Sequence, residues 1–166
     1  MPDPPERIFE RMLREAGCSE KVLTHCHAVR DVALEYAKRN DLVSVDLVSE
    51  GAMLHDIGRG KSHTILHAQW GADLLRAQGV SEEVARIVEC HTGAGITADE
   101  CTLLRLSPRD CMPRTTEEKI VTHADNLIEG RKRVIIDASI ASAIHLPRKI
   151  RRRIYHLAQE VELLCS

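Results

Sequence analysis

Histidine dominates the residues of this sequence that could do chemistry. The 166 residues include nine histidines, but only one Trp, two Tyr and one Phe. Several histidines have aspartates near them, and along the chain these candidates are His25, His27, His55, Asp56, His67, His91 and Asp125. Neutral imidazoles and carboxylates hold the divalent metals that activate water, often from different helices that converge in a bundle. These residues are therefore candidate metal ligands.

The dipeptide His55-Asp56 carries the most weight in this set. A lone histidine on a helix is more often a core or surface residue than a ligand. This pair, however, follows the apolar stretch Ala52-Met53-Leu54, which should be buried. Because a buried aspartate without a partner is costly, a metal ion would remove the objection to an aspartate at this position.

The elements that must position these residues are helices separated by short breaks, and no alternating strand pattern is apparent. Apolar spacing, capping residues and glycine stops predict helices over 5–16, 21–39, 45–56, 65–78 and 81–91, one that opens at Thr115 and carries Asp125, and two over 137–143 and 147–164. Residues 92–114, which contain two glycines and two prolines, are predicted to be irregular. The sequence thus predicts one all-α domain over 1–166.

Composition excludes several classes of protein. The chain is 43% hydrophobic, which allows a real core, and its formal net charge of −2 creates no general attraction to nucleic acid or membrane. No apolar run approaches the roughly 18 residues of a membrane span, and Met1–Glu6 lack a secretory apolar segment. None of the six cysteines forms a C-x-x-C pair. We therefore expect free thiols, a cytoplasmic location and no membrane partner.

Five motifs in a fixed order give the sequence a family resemblance: His25-Cys26-His27-Ala28-Val29, Leu54-His55-Asp56-Ile57-Gly58, His67-Ala68-Gln69-Trp70-Gly71-Ala72, His91-Thr92-Gly93 and Ala124-Asp125-Asn126. Over about 21–131 they resemble the HD-domain metal-dependent phosphohydrolases. The most similar members are the small stand-alone proteins resembling symmetrical diadenosine-tetraphosphate hydrolases and an uncharacterised archaeal HD group. The resemblance implies an HD-domain helical bundle with helical extensions at both ends.

The resemblance also implies a ligand set. One metal would be held by His25, His55, Asp56 and Asp125, and a second by His67 and His91, with Asp56 bridging. The family pattern places the first ligand four residues before a valine and eight before an alanine, which fits His25 rather than His27. His27 is the alternative, and we expect it to be a surface or supporting residue.

Two metals per chain are expected, because one-metal relatives generally lack the two middle histidines. Four imidazoles suit iron or manganese better than magnesium, and cobalt or nickel would also be compatible. The implied reaction is hydrolysis of a phosphoester or phosphoanhydride by a metal-bridging hydroxide, with Asp56 as the central catalytic residue.

Further residues are candidates for substrate contact or proton transfer. Arg59 and Lys61 follow the His-Asp pair in a glycine-broken loop, where Arg59 could bind a phosphate bidentately. His63 could donate a proton to the leaving group. The remaining predicted substrate-binding residues are Thr92, Arg109 and Arg131.

A nucleotide or another phosphorylated small molecule, such as a dinucleoside polyphosphate, is the expected partner. The basic run Arg148, Lys149, Arg151, Arg152 and Arg153 raises the alternative of RNA or a cyclic phosphate as substrate. Such a run is usually a solvated helix face, so RNA is the less favoured partner. A non-catalytic nucleotide sensor with the same fold is the other alternative.

Overall fold

Helices make up almost all the regular structure in a computed structural model that describes residues 4–166. They are α1 (Pro5–Glu15), α2 (Glu20–Ala37), α3 (Val45–Leu54), α4 (His67–Ala77), α5 (Glu82–Cys90), α6 (Ala98–Leu103), α7 (Thr116–Asn126), α8 (Ile136–Ser142) and α9 (Arg148–Leu164). The 3-10 helix Ile57–Gly60 joins α3 to α4. The predicted all-α fold is confirmed; the first three residues of the predicted domain lie outside the described range.

Local sequence explains where several helices begin. Ser19, Ser44 and Ser81 cap α2, α3 and α5 by accepting a backbone N–H in the first turn. Thr115 and Glu118 form the predicted capping box of α7, in which each side chain accepts a hydrogen bond from the other residue's backbone N–H.

One prediction about residues 92–114 was wrong, and one short element after them was not anticipated. The region expected to be irregular contains the short helix α6, which begins with a capping box of Thr97 and Glu100. A small antiparallel hairpin also follows α7, with β1 (Ile128–Glu129) paired to β2 (Lys132–Arg133). Gly130, with φ +66°, is the first residue of its two-residue turn, where type II′ hairpins favour glycine. Strands of two residues are too short to show alternation.

Two large apolar clusters make up most of the core of the described residues, and α2, α3 and α5 contribute to both. One cluster lies among α2, α3, α5, α7 and α9 and contains Val29, Val48, Ile87, Ile120 and Val161. The other lies among α1 to α5 and contains Leu13, Leu23, Met53, Leu75 and Val88. Each such fully buried side chain contributes about 1.5–3 kcal/mol. The three shared helices are thereby held rigidly at the point where the candidate ligands converge.

The 3-10 turn after Asp56 depends on very close backbone packing. A Cβ atom built on Gly58 would lie 1.8 Å from the carbonyl oxygen of His67, and one on Gly60 would lie 1.9 Å from that of Ala16. Only glycine allows these approaches. The turn is therefore wedged between α1 and α4, which fixes Asp56 relative to His67.

The six cysteines, all within the described residues, are buried free thiols. No helix in residues 4–166 is long and apolar enough to cross a membrane.

Candidate metal centre

The orientations of four histidine rings are set by backbone carbonyl groups. Each ring's Nδ1 lies 2.6–2.7 Å from a carbonyl oxygen, in the pairs His25–Gly130, His55–Ala52, His67–Thr64 and His91–Val88. Because a carbonyl oxygen can only accept, Nδ1 carries the proton in each neutral imidazole and Nε2 is left with its lone pair. This is the tautomer that a histidine ligand binding through Nε2 requires.

The four Nε2 atoms converge on the two carboxylate oxygens of Asp56. Oδ1 lies 3.2 Å from His67 Nε2 and 3.4 Å from His91 Nε2. Oδ2 lies 3.8 Å from His25 Nε2 and 3.7 Å from His55 Nε2. One carboxylate therefore faces a different pair of imidazoles with each oxygen, which is the arrangement of a bridging ligand.

Asp125, at the end of α7, completes the group on the His25 side. Its Oδ1 lies 2.9 Å from His25 Nε2 and 3.4 Å from His55 Nε2. The donor atoms of His25, His55 and Asp125 lie within 4.8 Å of one another, and so do those of His55, Asp56 and His91. All six predicted ligands are therefore brought together.

The cluster has unsatisfied polar atoms that fit cation binding. His55 Nε2 and Asp56 Oδ1 are buried and make no hydrogen bond of acceptable geometry, although charged or polar atoms lie nearby. The Nε2 atoms of His67 and His91 are 3.1 Å apart, and two lone pairs at that distance repel unless a proton or cation lies between them. A donor set of imidazoles and carboxylates suits a transition-metal cation.

The groups around Asp56 and Asp125 lower the pKa values of both carboxylates. Burial alone would raise the pKa of Asp56, but the charge of His55 and the nearby imidazoles of His67 and His91 outweigh it and hold that pKa well below its usual value. The pKa of Asp125 is also lowered, because contacts with His25 and His55 outweigh burial. Both carboxylates are therefore anionic at neutral pH and available as ligands.

The two buried histidines at helix ends have pKa values shifted in opposite directions. Burial lowers the pKa of His91 below its ordinary value. Burial acts in the same direction on His55, but the neighbouring Asp56 carboxylate outweighs it and raises the pKa of His55 well above the ordinary value. The acidic group thus attracts positive charge to the His55 side of the cluster.

Several predicted substrate residues lie at the edge of the cluster. Arg59 Nε is 3.1 Å from Asp56 Oδ1, and its Nη1 donates to the carbonyl oxygen of the exposed His63. The buried hydroxyl of Thr92, next to His91, has no hydrogen-bond partner. Lys61 instead lies over the ring of Trp70, 3.5 Å from its centroid.

Arg131 lies on the other side, in the turn of the hairpin. With Lys21, Thr24 and Gly130 it lines a surface depression of about 310 Å³. Since the Gly130 carbonyl also orients His25, Arg131 is adjacent to the cluster and could meet an anion there.

Arg109 and His27 have other partners. Arg109 forms ion pairs with Asp73, at 2.7 Å, and with the buried Glu89, at 2.9 Å. These pairs hold the segment after α6 against α4 and α5, so the structure does not bring Arg109 to the cluster. His27 lies between two carboxylates of α1, with Nε2 3.0 Å from Glu10 and Nδ1 3.3 Å from Glu6.

Three supporting contacts were not anticipated from the sequence. They are the Gly130 carbonyl that orients His25, the Asn126 amide that donates to the Gly93 carbonyl at 2.6 Å, and the buried Gln69 amide that both donates to and accepts from the backbone of Ser107. The available signals were the motif positions of Asn126, directly after Asp125, and of Gln69, two residues after His67.

A family model described as "HD domain" matches residues 22–130, more than half of the chain. The chain belongs to the HD domain family. The HD family is generally metal-dependent, and the histidine and aspartate cluster of this chain could bind metal. The HD resemblance of the sequence motifs is confirmed.

Curated relatives of this HD protein include an uncharacterised protein of Methanocaldococcus jannaschii, 52% identical over 72% of this chain and 73% of that protein. A tRNA (cytidine(56)-2'-O)-methyltransferase of Thermoplasma volcanium is 43% identical over 79% of this chain, but over only 38% of its own length. A ribonuclease Y of Acidothermus cellulolyticus is 33% identical over 54% of this chain and 15% of its own length. This HD protein thus spans much less than two thirds of the latter two.

A solved structure has the same fold. The HD domain of the phosphodiesterase PgpH of L. monocytogenes, in complex with cyclic-di-AMP, superposes with a TM-score of 0.57 at 13% identity, covering 95% of each chain. At this identity the likeness establishes the HD fold alone.

Proposed function

We propose that this HD protein is a metal-dependent phosphohydrolase that cleaves a phosphoester or phosphoanhydride of a nucleotide-like substrate. The observation that carries the proposal is the convergence of four Nε2 atoms on the two oxygens of Asp56. His25, His55, Asp56 and Asp125 would hold one cation, and His67 and His91 would hold a second with Asp56 shared. Iron or manganese suits this imidazole-rich set best.

Bound divalent cations would supply Lewis-acid stabilisation of a phosphoryl oxygen and a lowered pKa for a coordinated water. The remaining work falls to the protein. Backbone carbonyls hold the imidazoles in one tautomer, and Arg59 places a cationic guanidinium beside Asp56, where a substrate phosphate could accept its hydrogen bonds. Thr92 offers an unpartnered hydroxyl next to His91. The exposed His63 is the proposed proton donor for the leaving group.

A dinucleoside polyphosphate is the first substrate to test, because the motifs resemble those of symmetrical diadenosine-tetraphosphate hydrolases. Symmetrical cleavage would release two nucleoside diphosphates. The guanidinium of Arg59 and the basic residues Lys21 and Arg131 on the other side would then contact a multiply charged phosphate chain. This division of positive charge favours a substrate with several phosphates over a monophosphate.

RNA or a cyclic dinucleotide is the second candidate substrate. It is favoured by the relatives, which include proteins named ribonuclease Y and tRNA methyltransferase, and by the PgpH domain in complex with cyclic-di-AMP. Each of those substrates contains an internal phosphodiester, and hydrolysis of such a bond would use the same metal centre.

A substrate panel tests the proposal. The protein, purified anaerobically and loaded separately with iron, manganese, cobalt or magnesium, is incubated with diadenosine tetraphosphate, cyclic-di-AMP and a short RNA, with Asp56→Asn as the control. We expect hydrolysis of at least one substrate with iron or manganese, and none by the control. Tight nucleotide binding without hydrolysis under every metal condition would favour the non-catalytic sensor instead.

A further inference from the structure

The solvent-facing side of α9 carries a stripe of basic and aromatic residues that the metal centre does not use. The stripe follows helical spacing, at positions i, i+3, i+4, i+7 and i+8, and consists of Arg148, Arg151, Arg152, Tyr155 and His156. We call it the Arg-Tyr face. The buried residues of α9 are Ile154, Leu157, Ala158 and Val161, so the core lies on another side of the helix.

The Arg-Tyr face forms one wall of a groove between α8 and α9. With Asp137 and Ile140 of α8, its side chains line a depression of about 480 Å³. Asp137 is the one acidic residue in that lining. The groove therefore combines three guanidinium groups and one histidine with a single carboxylate.

The basic run divides into two sets, of which only one forms ion pairs within residues 4–166. Lys149 and Arg153 face α6, where their nitrogens lie 3.5 and 2.9 Å from the Glu100 carboxylate. No ion pair within residues 4–166 involves Arg148, Arg151 or Arg152. The sequence alone does not separate these sets, because all five residues are contiguous or nearly so.

The unpaired set is unfavourable for the helix itself. Like charges at i, i+3 and i+4 repel one another, and α9 has no acidic residue in its first turn, where the helix dipole favours one. Arg151 donates to the Leu146 carbonyl oxygen at 3.2 Å, but no ion pair in the described part of the chain offsets the repulsion among the three arginines. A bound polyanion would neutralise them, which gives the charge pattern a physical reason.

Tyr155 indicates which class of polyanion the face would bind. Its side chain is 42% exposed and lies about one helical turn beyond Arg151 and Arg152. Single-stranded nucleic acids bind where cationic groups follow the phosphates and an aromatic ring stacks on a base. A membrane surface would instead require an apolar side next to the basic one, and the groove offers only Ile140 and Tyr155.

We propose that the Arg-Tyr face binds single-stranded RNA. The choice of RNA rests on the second candidate of the proposed function, whereas the site rests on the groove. Arg153 of the same helix donates to the Gly95 carbonyl at 3.1 Å, which joins α9 to the loop that follows His91. The helix α9 also packs against α7, which carries Asp125 of the metal centre.

Binding can be measured without catalysis. A fluorescent twelve-nucleotide RNA is titrated with the full chain in EDTA, which prevents metal-dependent hydrolysis. The variant Arg148→Gln/Arg151→Gln/Arg152→Gln should raise Kd at least tenfold and reduce the salt dependence of log Kd by about two units, because each phosphate contact to a single strand contributes about 0.7. The matched control Arg7→Gln/Lys38→Gln/Arg105→Gln loses the same charge elsewhere and should change Kd less than twofold.

Variants of Tyr155 distinguish base stacking from charge attraction. Tyr155→Phe should retain RNA affinity and Tyr155→Ala should lose it, with circular dichroism confirming that each variant keeps its helices. Equal losses in the two triple variants would overturn the proposal. So would tighter binding of the matching DNA strand, or phosphatidylglycerol vesicles that compete through the same three arginines.

These experiments distinguish failure of the proposed function from failure of the proposed binding site. RNA bound through the Arg-Tyr face but left intact with every metal would refute RNA hydrolysis and leave the binding site standing. Hydrolysis of RNA at the same KM by the parent and the arginine triple variant would refute the binding site and leave hydrolysis standing.

Discussion

The Nε2 atoms of His67 and His91 lie 3.1 Å apart, while the Nδ1 atom of each ring donates to a backbone carbonyl. Both neutral rings would therefore direct lone pairs at each other and at Asp56 Oδ1. Burial lowers the pKa of His91, so a second proton is not easily accepted there. A shared cation would resolve this conflict, and the predictions for the ligand variants depend on it.

His25 and His27 should behave differently when replaced. His25→Ala removes an Nε2 atom 2.9 Å from Asp125 and should lower both the bound metal per chain and hydrolysis. His27→Ala removes only contacts with Glu6 and Glu10 of α1, so metal content and activity should stay near those of the parent. Elemental analysis and substrate turnover measure both effects. The opposite ranking would place the first ligand two residues further along.

Asp56→Asn should abolish hydrolysis while leaving the helices intact. The substitution keeps the size of the side chain but removes the charge that faces both pairs of imidazoles. Since loss of even an outer hydrogen-bond partner costs a metal site about 10–100-fold, turnover should fall by at least about 100-fold. Circular dichroism checks the fold and a phosphate-release assay the rate. Turnover close to that of the parent with metal in excess would contradict the bridging role.

Gly58→Ala should destabilise the protein much more than Gly79→Ala. A methyl group at Gly58 meets the His67 carbonyl oxygen at 1.8 Å, so the turn must move away from α4. Gly79 has open space around it but a φ of +77°, and alanine there should cost only about 1–2 kcal/mol. Chemical denaturation gives both free energies of unfolding. Equal losses would mean that the turn is not wedged as described.

The ion pair of Glu100 with Arg153 should add an acid-dependent component to stability. Hydrogen bonds from Arg153 lower the pKa of Glu100 from 4.5 to about 2. Because the folded-state pKa is depressed, the stabilisation is fully present above about pH 4.5 and is lost as the pH falls towards 2. The Tm difference between the parent and Glu100→Gln should therefore shrink from pH 5 to pH 2.5. Asp99→Asn is the neighbouring control; a constant difference for Glu100→Gln would refute the linkage.

The sequence predicted the helices well because each carries its own periodicity and cap. The family pattern, with apolar residues four and eight positions later, favoured His25 over His27 as the first ligand, and the structure places His25 in the cluster and His27 beside α1. The hairpin was missed because its strands are too short to alternate. Its role in orienting His25 could not be predicted, since that contact joins residues 105 positions apart.

The ion-pair partners of the arginines could not be predicted from the sequence either. Arg109 sits in a polar, proline-containing segment that suggests a substrate loop, but two carboxylates from α4 and α5 pair with it. The basic run of α9 looks uniform in sequence, yet only Lys149 and Arg153 face Glu100. Pairing of charges between distant segments depends on tertiary packing, which local spacing does not encode.

Metal content measured by elemental analysis of anaerobically purified protein tests the central claim most directly. The parent should bind close to two iron or manganese ions per chain at saturation. His67→Ala removes one of the two Nε2 atoms facing Asp56 Oδ1 and should lower that number to about one. One metal per chain in the parent, unchanged in His67→Ala, would contradict a two-metal centre bridged by Asp56.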